Sequence, residues 1–183
     1  MQEKEFIKKL KKRDKGAFEL LIDKYQNKIF GLISLIVNNP SVTEDLAQEV
    51  FLRIFKGIPY FRGESKLSTW IYRITYNVCM GEIKKSKKIL HIFDNEKMRI
   101  SLNNYHFHIN TKIDKIELEE RIKKILDRLP VNYRTVLTFF YWQELSYQEI
   151  AEAMNIPVGT VKTYLHRAKK LLKQKISEEK NEL

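Results

Sequence analysis

Apolar residues in the first third of the chain return every three or four positions, so that Phe6, Leu10, Phe18, Leu21, Ile22 and Tyr25 would line one side of helical segments. Asn38-Asn39-Pro40 interrupts that rhythm, as a proline beside two residues that compete for backbone hydrogen bonds should. Ser41 with Glu44 three residues later has the form of a capping box. The helix it would start carries Leu46, Ala47, Val50, Phe51, Ile54 and Phe55 on one side before Gly57 and Pro59 close it. Leu67, Ile71, Ile74 and Val78 form a further stripe at i, i+4, i+7 and i+11, leaving Thr69, Arg73, Tyr76, Asn77, Met80 and Lys84 on another face. Between roughly 86 and 113 the periodicity fails, and polar and aromatic types alternate without a stripe. It resumes near 114, and Pro130 suits the first turn of a new helix, where its missing N–H would be unpaired anyway. The expectation is an all-α protein of two small helical domains, residues 1–88 and 114–183, joined by a flexible linker over 89–113. That linker keeps Ile89, Leu90, Ile92, Phe93 and Phe107, enough apolar surface to dock onto a partner.

The second domain contains a more specific pattern. Ser146-Tyr147-Gln148-Glu149 is again a capping box; it opens a short helix with Ile150, Ala151 and Met154, which Asn155-Ile156-Pro157 breaks before another helix begins. Two helices joined by so short a turn form a helix-turn-helix. In its second helix Val161, Leu165, Ala168 and Leu172 define the buried stripe, and Lys162, Thr163, His166, Arg167 and Lys170 occupy the opposite face. From Lys162 to Lys175 the cations run without an intervening acid, whereas a generic solvated helix mixes signs. Such a face suits phosphates, and its Thr, Lys, Arg and His residues suit base edges in a major groove.

Charge strengthens that reading. Lys and Arg outnumber Asp and Glu by 34 to 23, which draws the chain toward a polyanion, either nucleic acid or an acidic membrane surface. Cys79 has no second cysteine with which to form an internal disulfide, the N-terminus is charged where a secretory signal needs an apolar run, and no apolar stretch is long enough to span a bilayer. A cytoplasmic protein without stable membrane insertion is expected. No Gly-rich phosphate loop, nucleophile elbow or paired His-Glu metal motif is present, so neither an enzyme nor a cofactor is expected. His91, His106, His108 and Cys79 could be imagined as metal ligands, but none of the usual zinc spacings occurs, and no metal is expected.

Three segments in one order resemble the extracytoplasmic-function (ECF) sigma factors of bacterial RNA polymerase. Leu145 to Ala151 with Val158 to Ala168 resembles the segment that reads the promoter −35 element, and Leu129 to Leu137 resembles the run leading into it. Asp45 to Phe55 is similar to the segment that grips the clamp coiled coil of core polymerase, and Lys66 to Asn77 to the segment that opens and reads the −10 element. The resemblance implies two domains, equivalent to sigma domains 2 and 4, that bind core RNA polymerase and direct it to promoter DNA. It implies polymerase contacts at Asp45, Gln48, Glu49 and Arg53, and −35 contacts at Lys162, Thr163, His166, Arg167 and Lys170. For −10 contacts it implies Phe61, Arg62, Arg73, Tyr76, Asn77 and Lys84, with Asn77 as base reader and the loop Tyr60 to Lys66 helping to capture a flipped base. It further implies an inhibitory partner, a membrane-anchored anti-sigma protein.

Two features depart from the family pattern. Four residues after Asn77, where an acid is typical, stands Gly81, a point at which the −10 helix is expected to end early or bend. The linker is nearly balanced in charge where family linkers often carry acids. Trp70, beside a core stripe, reads more readily as packing than as a stacking platform, and the polar face of Asp45, Gln48, Glu49 and Arg53 also fits a solvated helix. The competing function is a free-standing helix-turn-helix regulator whose first domain dimerises or senses a ligand; it would bind duplex DNA alone, whereas a sigma factor needs core polymerase.

Overall fold

The computed structural model describes residues 2–93 and 124–181, with side chains through Ser86 in the first stretch and Ser177 in the second. The chain divides into two compact units, Met1–Asn103 and Asn104–Leu183, and among the described residues all regular structure is helical.

In the first unit, α1 (Glu3–Lys11) and α2 (Lys15–Val37) are followed by a 3₁₀ turn at Pro40–Val42, then α3 (Thr43–Gly57), a second 3₁₀ turn at Ile58–Tyr60, and α4 (Leu67–Phe93). Asp14 caps α2 by accepting the Ala17 N–H at 2.8 Å, and Asn38 ends it in the left-handed conformation at φ 52°. The core is assembled from Leu21, Ile29, Leu32, Ile33 and Ile36 of α2, Val50 and Ile54 of α3, Ile71 and Cys79 of α4, and Leu10 of α1. Both α2 and α3 pack against α4.

Four expectations change here. The Ser41–Glu44 capping box does not form: the Asn39 carboxamide oxygen takes both the Ser41 N–H (3.2 Å) and hydroxyl (2.7 Å), closing the Pro40–Val42 turn, so that α3 starts at Thr43. Ile22 and Phe55, placed by periodicity on the buried side, are 40% and 38% exposed. Thr69 is 1% exposed instead of belonging to the outer face, because α4 lies between two neighbours and its buried arc is wider than one stripe. Finally, α4 runs unbroken through Gly81 to Phe93, past the expected linker start at 89; Glu82, Lys84, Lys85, Lys87, Lys88 and Leu90, which follow Gly81, are good helix formers. Of the linker, residues 94–113 lie outside the described residues.

The second unit begins its described part with helical residues 124–127 and continues as α5 (Val131–Tyr141), α6 (Tyr147–Met154) and α7 (Val158–Asn181). Pro130 is the cap immediately before α5, one position earlier than its expected place in the first turn. The core holds Ile125, Leu126, Leu129, Val136, Leu137, Phe139, Ile150, Ala153, Val161, Leu165 and Ala168. Arg134 is buried within it, its guanidinium 3.3 Å from the Asp127 carbonyl oxygen and 3.5 Å from the Asp127 carboxylate, tying α5 to the preceding turn. Burial pulls the guanidinium pKa below its ordinary value, and the Asp127 charge works against that pull.

Candidate nucleic-acid interface

The helix-turn-helix is built from local rules. The Ser146 hydroxyl accepts the Glu149 N–H at 3.3 Å, while the Glu149 carboxylate accepts the Ser146 N–H at 2.8 Å, satisfying two orphan donors at the start of α6. Asn155 ends α6 in the left-handed region at φ 54°, which lets the chain reverse, and Ile156 donates to the Ala151 carbonyl at 3.0 Å. After Pro157, α7 starts with Val161, Leu165 and Ala168 facing the core and Leu172 half-buried. Lys162, Thr163, His166, Arg167 and Lys170 are all exposed on the other side. Thr163 donates its hydroxyl to the Gly159 carbonyl at 3.0 Å, so its methyl group and the hydroxyl oxygen as an acceptor are what it has left to offer.

Aromatic contacts flank α7. Near its start Tyr164 meets Tyr133 of α5 edge to face, with ring centroids 5.5 Å apart. Farther along, the Lys169 ammonium stands 5.3 Å from the Phe140 ring centroid and 5.6 Å from that of Tyr141, and Phe140 also packs on Tyr147 at 5.5 Å. The buried Val161, Leu165 and Ala168 set the roll of α7, and these contacts hold Lys169 against the rings of α5. The sequence reading grouped Lys169 with the phosphate-facing cations and had no signal for its attachment to the rings.

In the first unit the outer face of α4 presents Arg73, Asn77 and Lys84 to solvent, with Tyr76 half-buried. Arg62 is exposed in the preceding loop, 3.8 Å from Glu64. Phe61 differs from the other loop candidates: it is 5% exposed, its ring 5.2 Å from that of Trp70. A side chain held there supports the loop and cannot stack on a base without leaving its site. Trp70 accordingly packs; an added Cβ on Gly57 would come within 3.1 Å of its ring. Gly63, at φ 77°, occupies the one described glycine position that strongly disfavours any other residue.

The third set lies on α3. Asp45, Gln48 and Arg53 are exposed and Glu49 is half-exposed, with Arg53 Nε donating to Glu49 Oε1 at 2.7 Å. Leu52 and Phe55 are exposed beside them. Phe55 is partly covered by Phe18, at 4.9 Å between centroids, and by the Arg13 guanidinium, 4.9 Å above its ring. The surface is therefore a polar stripe with exposed apolar residues beside it.

Among the described residues no group of three His, Cys, Asp or Glu side chains could hold a metal ion, and no helix is long and apolar enough to cross a membrane. Of the imagined metal ligands, Cys79 is buried, and the side chains of His91, His106 and His108 lie outside the described residues.

Comparison with known proteins places the chain in a family. Residues 21–89 match the family described as Sigma-70 region 2, and residues 119–172 match Sigma-70, region 4. The chain is 36% identical over 182 residues to the ECF RNA polymerase sigma factor SigW of Bacillus subtilis, covering 96% of this chain and 97% of that one. It is 33% identical over 177 residues to the ECF RNA polymerase sigma-E factor of Haemophilus influenzae, covering 93% of each. The fold is shared with the sigma factor RpoE of Bartonella quintana, solved in complex with the anti-sigma factor NepR, at a TM-score of 0.74 and 18% identity over 87% of this chain and 96% of that one. A pair of sigma regions in the right order and a full-length match to curated relatives establish that the chain belongs to the ECF RNA polymerase sigma factors.

Proposed function

We propose that this protein is the promoter-reading subunit of an RNA polymerase holoenzyme: it binds core polymerase, reads a −35 duplex and a −10 single strand, and starts transcription. The observation that carries this reading is the pairing, on one chain, of a capped helix-turn-helix whose outer face is Lys162, Thr163, His166, Arg167 and Lys170 with a long helix exposing Arg73, Asn77 and Lys84. A duplex reader needs only the first of these; the second belongs to strand opening.

In this reading Asp45, Gln48, Glu49 and Arg53 hold the polymerase clamp. Lys162, Arg167 and Lys170 take phosphates and guanine edges, with Thr163 and His166 beside them. Asn77 reads an unstacked base through its amide, Tyr76 lies against the strand, and Arg62, Arg73 and Lys84 follow the phosphates. Phe61 acts from beneath, holding the loop on Trp70. Extracting a base costs a few kcal/mol; the protein supplies capture sites for the opened strand, while bond formation belongs to the polymerase, so the subunit performs no catalysis of its own and works in the cytoplasm. An anti-sigma protein silences it when it is not needed, as the complex of the Bartonella relative illustrates.

The test is transcription of fragmented genomic DNA of the source organism by core polymerase, with and without the protein, mapping 5′ ends. New discrete starts that share two upstream motifs are expected. Tight duplex binding by the protein alone, with no new starts, would refute the reading. Affinity capture of the tagged chain from unstressed cells is expected to recover a stoichiometric inhibitor, and its absence would remove that part.

A further inference from the structure

α1 stands outside every surface described so far. Its inner side is fixed by Phe6 and Leu10, both buried. Opposite them Lys4, Lys8 and Lys11 follow one another at i, i+4 and i+7, with Lys12 at the helix C-cap, and all four are exposed. Of the local acids, Glu5 pairs with Lys9 at 3.6 Å and Glu19 with Lys15 at 3.8 Å. Among the described residues no carboxylate lies within ion-pair distance of Lys4, Lys8, Lys11 or Lys12.

A solvated helix face does not need this arrangement. Like charges at i and i+4 destabilise a helix, and although a cation near the C-terminus is favourable, Lys4 sits in the first turn, where the helix dipole opposes it. The placement does point to a polyanion. α1 packs against the Ile58–Tyr60 turn, which leads directly into the loop carrying Arg62. Tyr60, 82% exposed, ends that turn and precedes Arg62 by two residues. The turn thus joins the helix that carries the lysine stripe to the loop of the −10 surface, and exposed rings together with cations are what holds a nucleic-acid strand.

We propose that Lys4, Lys8, Lys11 and Lys12 form an additional phosphate-tracking surface that holds promoter DNA next to the −10 element. The inference rests on the functional reading above. From Lys4 to Lys11 the helix rises about 10 Å, the length of roughly three phosphates along one strand. The contact carries no base information, so it strengthens opening at every promoter alike and weakens as salt rises.

The experiment uses complete holoenzyme on a fragment carrying the strongest start site from the mapping above, with Lys4, Lys8, Lys11 and Lys12 all changed to Gln. Gln matches Lys in helix propensity, and circular dichroism verifies that the variant folds. Open-complex occupancy is measured from 50 to 200 mM salt. Loss of three single-strand phosphate contacts lowers the log–log salt slope of the binding constant drawn from these occupancies by about 2, so that across this range the wild-type constant falls roughly 20-fold more than the variant's. An unchanged slope would overturn the proposal. A slope that falls only because less core polymerase is bound, measured separately by competition with unlabelled wild-type protein, would also overturn it, assigning the stripe to the polymerase instead. If wild-type holoenzyme itself opens no promoter, it is the functional reading that fails.

Discussion

Replacing Lys169 with Gln removes one positive charge from α7, as does replacing Lys162, yet the structure assigns the two residues different work. Lys169 lies within 5.6 Å of two ring centroids on α5, whereas Lys162 is exposed on the outward face. A cation over an aromatic face contributes about 0.5–1 kcal/mol at an exposed site. Two such contacts sharing one ammonium give about 1 kcal/mol, roughly fivefold in the folding equilibrium, or a drop of about 4–8 °C in the melting temperature of a unit this size. Lys162→Gln should instead leave melting nearly unchanged and reduce the salt slope of promoter binding by about 0.9, the value for one duplex phosphate. Lys169→Gln should leave that slope alone. Lys169→Arg should restore the melting temperature, since a guanidinium also stacks on rings. Thermal unfolding of the full chain, and holoenzyme binding to a mapped promoter from 50 to 200 mM salt, measure both quantities. Should Lys169→Gln lose as much slope as Lys162→Gln while melting normally, the ring contacts do not hold the side chain and the proposed division of labour is wrong.

Ser146→Ala removes a hydroxyl that caps α6 and is expected to cost about 1 kcal/mol; thermal melting should show the loss, with Ser146→Asp restoring most of it. Asp127→Ala leaves the Arg134 guanidinium buried without its carboxylate, a change expected to cost about 3–5 kcal/mol; adding Arg134→Met should recover much of this in urea unfolding, and a double variant no better than the single would contradict the account. At high pH the first unit should weaken. Burial raises the Cys79 thiol pKa to about 12 and also raises those of Tyr25 and Tyr72, so above about pH 9 the unfolded chain releases protons that the folded chain retains, and stability falls as pH rises toward 12. Cys79→Ala should flatten the early part of that decline in urea titrations.

The helix-turn-helix was legible because every rule involved is local. The Ser146–Glu149 box, the left-handed Asn155 and the Val161–Leu165–Ala168 stripe lie within a few residues of one another, and the structure reproduces each. Where a second neighbour intervenes, legibility ends. A single apolar stripe places Thr69 outward, but α4 lies between α2 and α3. Glu44 had the spacing of a cap partner, but Asn39 engages Ser41 first. Phe61 lies in a loop whose resemblance to the family implies DNA contact, and only its contact with Trp70 reveals that the ring points inward. The lysine stripe of α1 and the grip on Lys169 carry no motif, because both depend on which elements the fold places side by side.

The burial of Cys79 makes this molecule unusually easy to interrogate. It is the chain's one thiol, it has no measurable exposure, and it sits in the core of the first unit. A thiol-reactive dye can therefore attach only when that unit opens, and the labelling rate becomes a clock for the opening of this half of the chain alone. Adding core polymerase, promoter DNA or an inhibitor and watching the clock slow would report on the first unit in the presence of the second, with no introduced probe and no truncation.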